Sequence, residues 1–196
     1  MENPILITGL GNPGARYDNT RHNIGFSVAD ALCNRFGSFM TRWQEKFKGH
    51  FCKVKIAGQQ TILLKPQTFM NLSGQSVQPA MSFFKLSINH LIIIHDDIDL
   101  DYGMVRLKSG GGTGGHNGLN SLKKELGSTD FHRIRIGVGR PVHGDVSDFV
   151  LKSFTPDEQI ELDSIIDRAC KAIECIAEFG IVKAMNHFNQ RQGDNL

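Results

Sequence analysis

Leu91-Ile92-Ile93-Ile94 is the most apolar strand candidate in the chain, and it breaks off into His95-Asp96-Asp97. A short run with no polar side reads as a strand buried on both faces. Such a strand needs helices above and below its sheet, which points to an α/β fold. In open α/β sheets, sites form outside the carboxyl ends of the strands. This strand ends in one imidazole and two carboxylates.

Three more polar loops stand where strands should end. Ile5-Leu6-Ile7-Thr8 opens onto Gly9-Leu10-Gly11-Asn12-Pro13-Gly14, with His22 just beyond. Residues 51–57 and 61–65 flank Gly58-Gln59-Gln60 as a hairpin, and the loop 66–74 after it carries Phe69-Met70-Asn71-Leu72-Ser73. The run 110–118, GGGTGGHNG, follows another strand at 104–108 and opens a helix at about 116–126. One His, one prominent Asp and three Asn across these ends suggest a single convergent site.

The other segments fit the same plan. Residues 23–36 place Ile24, Val28, Ala31, Leu32 and Phe36 near helical spacing. A helix near 75–84 contains Pro79, which should kink it or mark its first turn. Residues 133–138 alternate strictly and should form a strand with one basic face. Thr155-Pro156-Asp157-Glu158 is a capping box with Pro at the first helical position. The helix it starts should bury Leu162, Ile166, Ala169, Ile173 and Ile176 or Ala177, and stop at Gly180. A short helix at 181–190 should close the chain, with a frayed tail at 192–196. The expectation is one domain, 1–196, built on a twisted, mixed and largely parallel sheet with helices on both faces.

With 40% hydrophobic and 21% charged residues, composition argues against disorder. No apolar run reaches membrane-spanning length. The opening MENPILITGLGN lacks a basic region and a small-residue cleavage site, so it does not read as a secretory leader, and a cytoplasmic location is expected. Cys33, Cys52, Cys170 and Cys175 show no C-x-x-C spacing and read as reduced core thiols. Between 101 and 140, Arg106, Lys108, Lys123, Lys124, Arg133, Arg135 and Arg140 outnumber Asp101, Glu125 and Asp130. That region suits an anionic substrate, nucleic acid included, or is simply a solvated charged face.

The first loop matches G-x-G-x-x-G, the dinucleotide fingerprint, but fails on context. The fingerprint needs a helix starting inside the loop. Here Pro13 and Tyr17-Asp18-Asn19-Thr20 delay the helix to about Asn23, and Asp30 lies within that helix. The loop instead presents Asn12 and leads to His22. At a helix N-terminus the dipole disfavours imidazolium and keeps a general base neutral. Such a base needs a carboxylate to fix its tautomer, and Asp96 is the candidate. Asp97, Asp99 and Asp101 follow in alternation, a pattern that also suits Mg²⁺, although no second carboxylate cluster completes a cage. His95 and Asp97 read as supporting residues. Asn71 and Asn117 are either helix caps or donors to an oxyanion or a water. The Gly-rich run lacks a P-loop ending, and Lys108 and Arg135 beside it suit a phosphate clamp. With no G-x-S-x-G elbow and no site-loop cysteine, a His-activated water fits better than covalent catalysis.

Five motifs occur in order: GLGNPGARYDNTRHNIGF, KPQTFMNLSG, HDDIDL, GGGTGGHNGL and FHRIRIGVGRP. Together, from Ile5 through Arg140, they resemble bacterial-type peptidyl-tRNA hydrolase. The resemblance implies hydrolysis of the ester joining a peptide to the 3′-terminal ribose of tRNA. It also implies a monomer, no cofactor and a cleft at the strand ends; an ester has a good leaving group, so no metal is expected. It matches His22 to the catalytic base, Asp96 to its partner, and Asn12, Asn71 and Asn117 to the site asparagines. It matches Lys108 and Arg135 to the basic pair that meets the tRNA 5′-phosphate. Tyr17, Phe69 and His116 stand in the same loops and are expected to contact substrate.

Overall fold

The computed structural model describes residues 4–190. Strand β1 (Ile5–Gly9) leads through two 3₁₀ turns, Ala15–Tyr17 and Arg21–Asn23, into helix α1 (Ile24–Phe36). Strands β2 (Gln44–Lys46), β3 (Gly49–Ile56) and β4 (Gln59–Pro66) follow, then a 3₁₀ turn at Met70–Leu72 and helix α2 (Gly74–Phe83). Strand β5 (Leu91–Asp97), strand β6 (Val105–Ser109), helix α3 (Asn117–Leu126) and strand β7 (His132–Gly137) come next. Helices α4 (Val146–Val150), α5 (Pro156–Phe179) and α6 (Ile181–Phe188) complete the described chain.

The strands form one sheet in the order β2-β3-β4-β1-β5-β7-β6. Its centre is parallel, with β1 between β4 and β5, and β5 beside β7. Both margins are antiparallel, β2 and β3 at one side and β6 at the other. The apolar run of β5 is central, as its composition requires. Ile92 and Ile94 join a core that includes residues of α1 and α5, whereas Leu91 and Ile93 join one that includes residues of α2 and α3. Burying each such side chain contributes about 1.5–3 kcal/mol.

Several elements differ in detail from the sequence expectation. The hairpin turn is Ala57-Gly58, with φ of 46° and 85°, not Gly58-Gln59-Gln60; Ile56 pairs directly with Gln59. A two-residue turn with both φ positive matches the twist of paired strands, which outweighs the cost at Ala57. Pro79 lies inside α2 and not in its first turn. Thr155 and Glu158 do form a reciprocal capping box with Pro156 at the helix start. The buried stripe of α5 includes Ile165 and Ala172 with Ala169, Ile173 and Ile176, while Leu162, Ile166 and Ala177 are only partly buried. The last helix stops at Phe188, and the tail 192–196 is outside the described residues. Strand β2 and helix α4 are additions that no sequence pattern signalled. All four cysteines are free, with the Cys33 and Cys52 sulfurs 3.4 Å apart. Among the described residues, no helix is long and apolar enough to cross a membrane.

Because β4, β1, β5 and β7 run the same way, the loops after them open on one edge. Helix α1 seats tightly there: a Cβ at Gly9 would lie 2.0 Å from the Gly25 carbonyl oxygen, so only glycine permits this approach. The Gly-rich run is the exception to the strand-end rule. Strand β6 is antiparallel to β7, and Ser109 pairs with His132 at the start of β7, at the far edge. Residues 110–115 must run back along the sheet before His116 reaches Asp96.

Candidate active site

His22 sits in the 3₁₀ turn that precedes α1, and Asp96 near the end of β5. Both are buried, and His22 Nδ1 lies 2.8 Å from Asp96 Oδ1. His116 approaches the same oxygen, its Nε2 at 3.0 Å. The ring of His116 also caps α3: its Nδ1 accepts from the backbone N–H of Gly118 at 3.1 Å and of Leu119 at 3.4 Å. A neutral imidazole has one lone pair. On His116 the cap takes it at Nδ1, so Nε2 carries the proton and donates to Asp96. Burial pushes the Asp96 carboxyl up, but the two neighbouring histidines more than offset this and hold it well below the usual carboxylate range. An ionised Asp96 accepts the Nδ1 proton of His22, which leaves His22 Nε2 as a basic atom.

Nδ1 of His22, a carboxylate oxygen of Asp96 and Nε2 of His116 lie within 4.8 Å of one another, close enough for a metal ion. The donor chemistry opposes that use. With Nδ1 of His116 already accepting, Nε2 has a lone pair for a cation only as imidazolate. The acidic run fits Mg²⁺ no better, because Asp97 accepts from Arg135 Nε at 2.7 Å and Asp99 pairs with Arg140. His95, behind the site, donates from Nδ1 to the Asp96 carbonyl at 2.7 Å; burial, and secondarily His116, pushes its pKa down to about 3.

Asn12 and Asn23 zip the first loop together. Asn12 N–H donates to Asn23 Oδ1 at 2.8 Å, and Asn23 Nδ2 donates to the Asn12 carbonyl at 2.9 Å. Asn12 Oδ1 accepts from Met70 N at 2.7 Å, which fixes the turn carrying Asn71 and leaves the Asn12 amide as a donor. Asn71 lies inside its 3₁₀ turn, and Asn117 is the first residue of α3, capped by His116. Neither is a cap, so the capping alternative falls for both. Asn12, His22, Asn71, Asp96, His116 and Asn117 all line one cleft of about 820 Å³.

The sequence matches the family model described as peptidyl-tRNA hydrolase over residues 6–195. The chain belongs to the peptidyl-tRNA hydrolase family. It is 52% identical over 186 residues to a peptidyl-tRNA hydrolase of Geobacter sp. (strain M21), covering 95% of this chain and 98% of that one. It is 45% identical to one of Mycobacterium avium (strain 104), with 95% and 97% covered. The crystal structure of peptidyl-tRNA hydrolase from Acinetobacter baumannii superposes with a TM-score of 0.88 at 39% identity, covering 96% of each chain.

In this peptidyl-tRNA hydrolase family member the cleft wall also carries basic side chains. Lys108 and Arg135 both line it, as does Phe69. The ion pair with Asp97 uses Nε of Arg135 and leaves the Nη groups of its fork uncommitted among the described residues. Arg133 does not add to a basic outer face as expected. It is buried, and its Nη1 and Nη2 donate to the carbonyls of Gly112 and Gly111 at 2.6 Å each. It fastens the returning Gly-rich run to β7. Tyr17 is not on the cleft wall; it touches Phe69 edge-on, ring centroids 6.4 Å apart. Asn23 and the α4 residues Val146 and Val150 on the cleft wall were not signalled by the sequence.

Proposed function

We propose that this family member hydrolyses the ester between a peptide and the 3′-terminal ribose of tRNA, releasing free tRNA and free peptide. The observation that carries the reading is the buried His22–Asp96 pair, 2.8 Å apart, in a cleft that Lys108 and Arg135 also line. Nε2 of His22 takes a proton from water as the water oxygen attacks the ester carbonyl. Asp96 steadies the imidazolium that results. General base catalysis of this kind supplies ~10² to 10⁴ in rate. The amides of Asn12 and Asn71 polarise the carbonyl and hold the peptide end, and Asn117 orients the water or the substrate. Collapse of the tetrahedral intermediate expels the ribose oxygen, which takes the proton back from His22. An ester has a good leaving group, so the chemistry calls for no metal or cofactor.

Lys108 and Arg135 meet the tRNA 5′-phosphate, which positions the substrate without reading its sequence. Phe69, steadied by Tyr17, and His116 border the bound peptide and ribose. The chain acts as one unit, 1–196, a cytoplasmic monomer that returns tRNA from abortive translation. The test is His22→Ala assayed on peptidyl-tRNA. Hydrolysis is nearly abolished, while far-UV circular dichroism and tRNA binding persist. Near-normal turnover in the folded variant overturns the assignment. Cleavage of a free N-acyl ester as fast as of peptidyl-tRNA points instead to a general esterase.

A further inference from the structure

Next to His22 in the same turn stands Arg21, only 4% exposed. A charged side chain is rarely buried unless its charge is met. Here both Nη groups are met, while the buried Nε has no hydrogen-bond partner among the described residues. Nη2 donates to Glu158 Oε2 at 2.5 Å. Nη1 donates to the carbonyls of Ser153 at 2.9 Å, Lys152 at 3.2 Å and Phe149 at 3.4 Å. The guanidinium lies over the rings of Phe149 and Phe154, at 4.3 and 5.5 Å. The backbone joins in: Arg21 N–H donates to the Lys152 carbonyl at 3.2 Å, and Thr20 bridges to Ser153.

Every one of those carbonyls belongs to the end of α4 or the link from α4 to α5. Helix ends leave carbonyls without partners, and Arg21 supplies them. The same segment builds a wall of the cleft, through Val146, Val150 and Leu151. Its own support is slight, since α4 has five residues and only Val150 among them is buried. Glu158, in contrast, is held firmly: its carboxylate also accepts from Thr155 N, and its carbonyl accepts from the Tyr102 hydroxyl. The turn carrying His22 is secured from its other side, by Asp96 and by the Asn12–Asn23 pair.

We propose that Arg21 is a positioning residue that seats the α4 wall of the cleft against His22, and so governs how tightly substrate is held and not how fast the ester breaks. The proposal rests on the reading of His22 as the base. A lysine at this position keeps the charge but cannot reach several carbonyls with one planar fork. Arg21→Lys therefore loosens the wall and leaves the His22–Asp96 pair in place.

The test is steady-state kinetics of Arg21→Lys on peptidyl-tRNA, with amide hydrogen exchange. KM rises on the order of tenfold while kcat stays within about twofold. The pH–rate profile keeps its acid limb. Exchange accelerates in residues 146–153 and is unchanged in 24–36. A lowered melting temperature with unchanged KM makes Arg21 merely structural and overturns the proposal. So does a fall in kcat with a displaced acid limb, which places its action on His22. If Arg21→Lys fails to fold, Glu158→Gln carries the same test, and an unchanged KM there is equally fatal. Turnover by His22→Ala sinks the functional reading itself, so the two failures are distinguishable.

Discussion

His22 and His116 donate to one and the same oxygen of Asp96, from 2.8 and 3.0 Å. A single carboxylate oxygen thus serves His22 and, through the His116 ring, the first turn of α3. The Gly-rich run that His116 terminates is thereby tied to the reacting centre at one end and to Arg133 at the other.

Asp96→Asn keeps an acceptor for both N–H groups but removes the negative charge that stabilises imidazolium. kcat should fall by ~10² to 10⁴ while KM changes by less than about threefold. Steady-state kinetics on peptidyl-tRNA decide it. A variant that loses affinity and keeps kcat contradicts the role given to Asp96.

His116→Phe keeps a ring but withdraws both the α3 cap and the second donor on Asp96. Loss of the cap should cost about 1 kcal/mol of stability in denaturant unfolding. The carboxylate, relieved of one hydrogen bond, interacts more strongly with a protonated His22. The acid limb of kcat/KM should therefore move to higher pH. An unmoved limb means that the shared oxygen has no consequence for the base.

Lys108→Ala and Arg135→Ala remove charges from the cleft wall. Each should raise KM for full-length peptidyl-tRNA and flatten the salt dependence of binding, because fewer counterions are released. A peptide ester on a short nucleotide fragment lacking the 5′-phosphate should be cleaved almost as well as by the parent enzyme. Equal losses on both substrates count against a phosphate clamp.

Stability should also depend on His95, whose buried ring is held neutral with a pKa of about 3. An unfolded chain binds a proton there below about pH 6.5. Between that value and pH 3 the unfolded state therefore takes up a proton that the folded state refuses. The contribution is complete above pH 6.5 and lost on acidification, with a slope of ~1.4 kcal/mol per pH unit. His95→Gln should flatten the melting temperature's dependence on pH across that window. His132, also lowered by burial, acts alike in both chains and cancels in the comparison.

Much of this site is visible in local sequence because it rests on local rules. The apolar run of β5 and the loops after β1 and β4 put His22, Asp96, Asn12 and Asn71 near one another once the sheet is parallel. Topology hid the rest. The Gly-rich run ends a strand at the far edge, and only the antiparallel pairing of β6 with β7 reveals that it must travel back. Arg133 looked like half of a basic face because alternation gives a side, not a partner; its partners are carbonyls 21 and 22 residues away. The capping role of His116 went unseen because a histidine ring is not an expected helix cap. The hairpin turn slipped by one residue because Ala57 carries no mark of its positive φ.

The place of β1 in the sheet has a bearing on how the chain is made. β1 is synthesised first, yet both of its neighbours, β4 and β5, come later, the second ending at Asp97. At about 5–20 residues per second, β1 waits roughly 4–17 s for its last partner. Until β4 emerges Leu6 and Ile7 have no sheet to enter, and until β5 emerges one edge of the strand stays open. The β3–β4 hairpin, joined by a two-residue turn, can form meanwhile without it. A nascent chain halted before β5 therefore leaves the β5 side of β1 as an open edge ready to pair with a stranger.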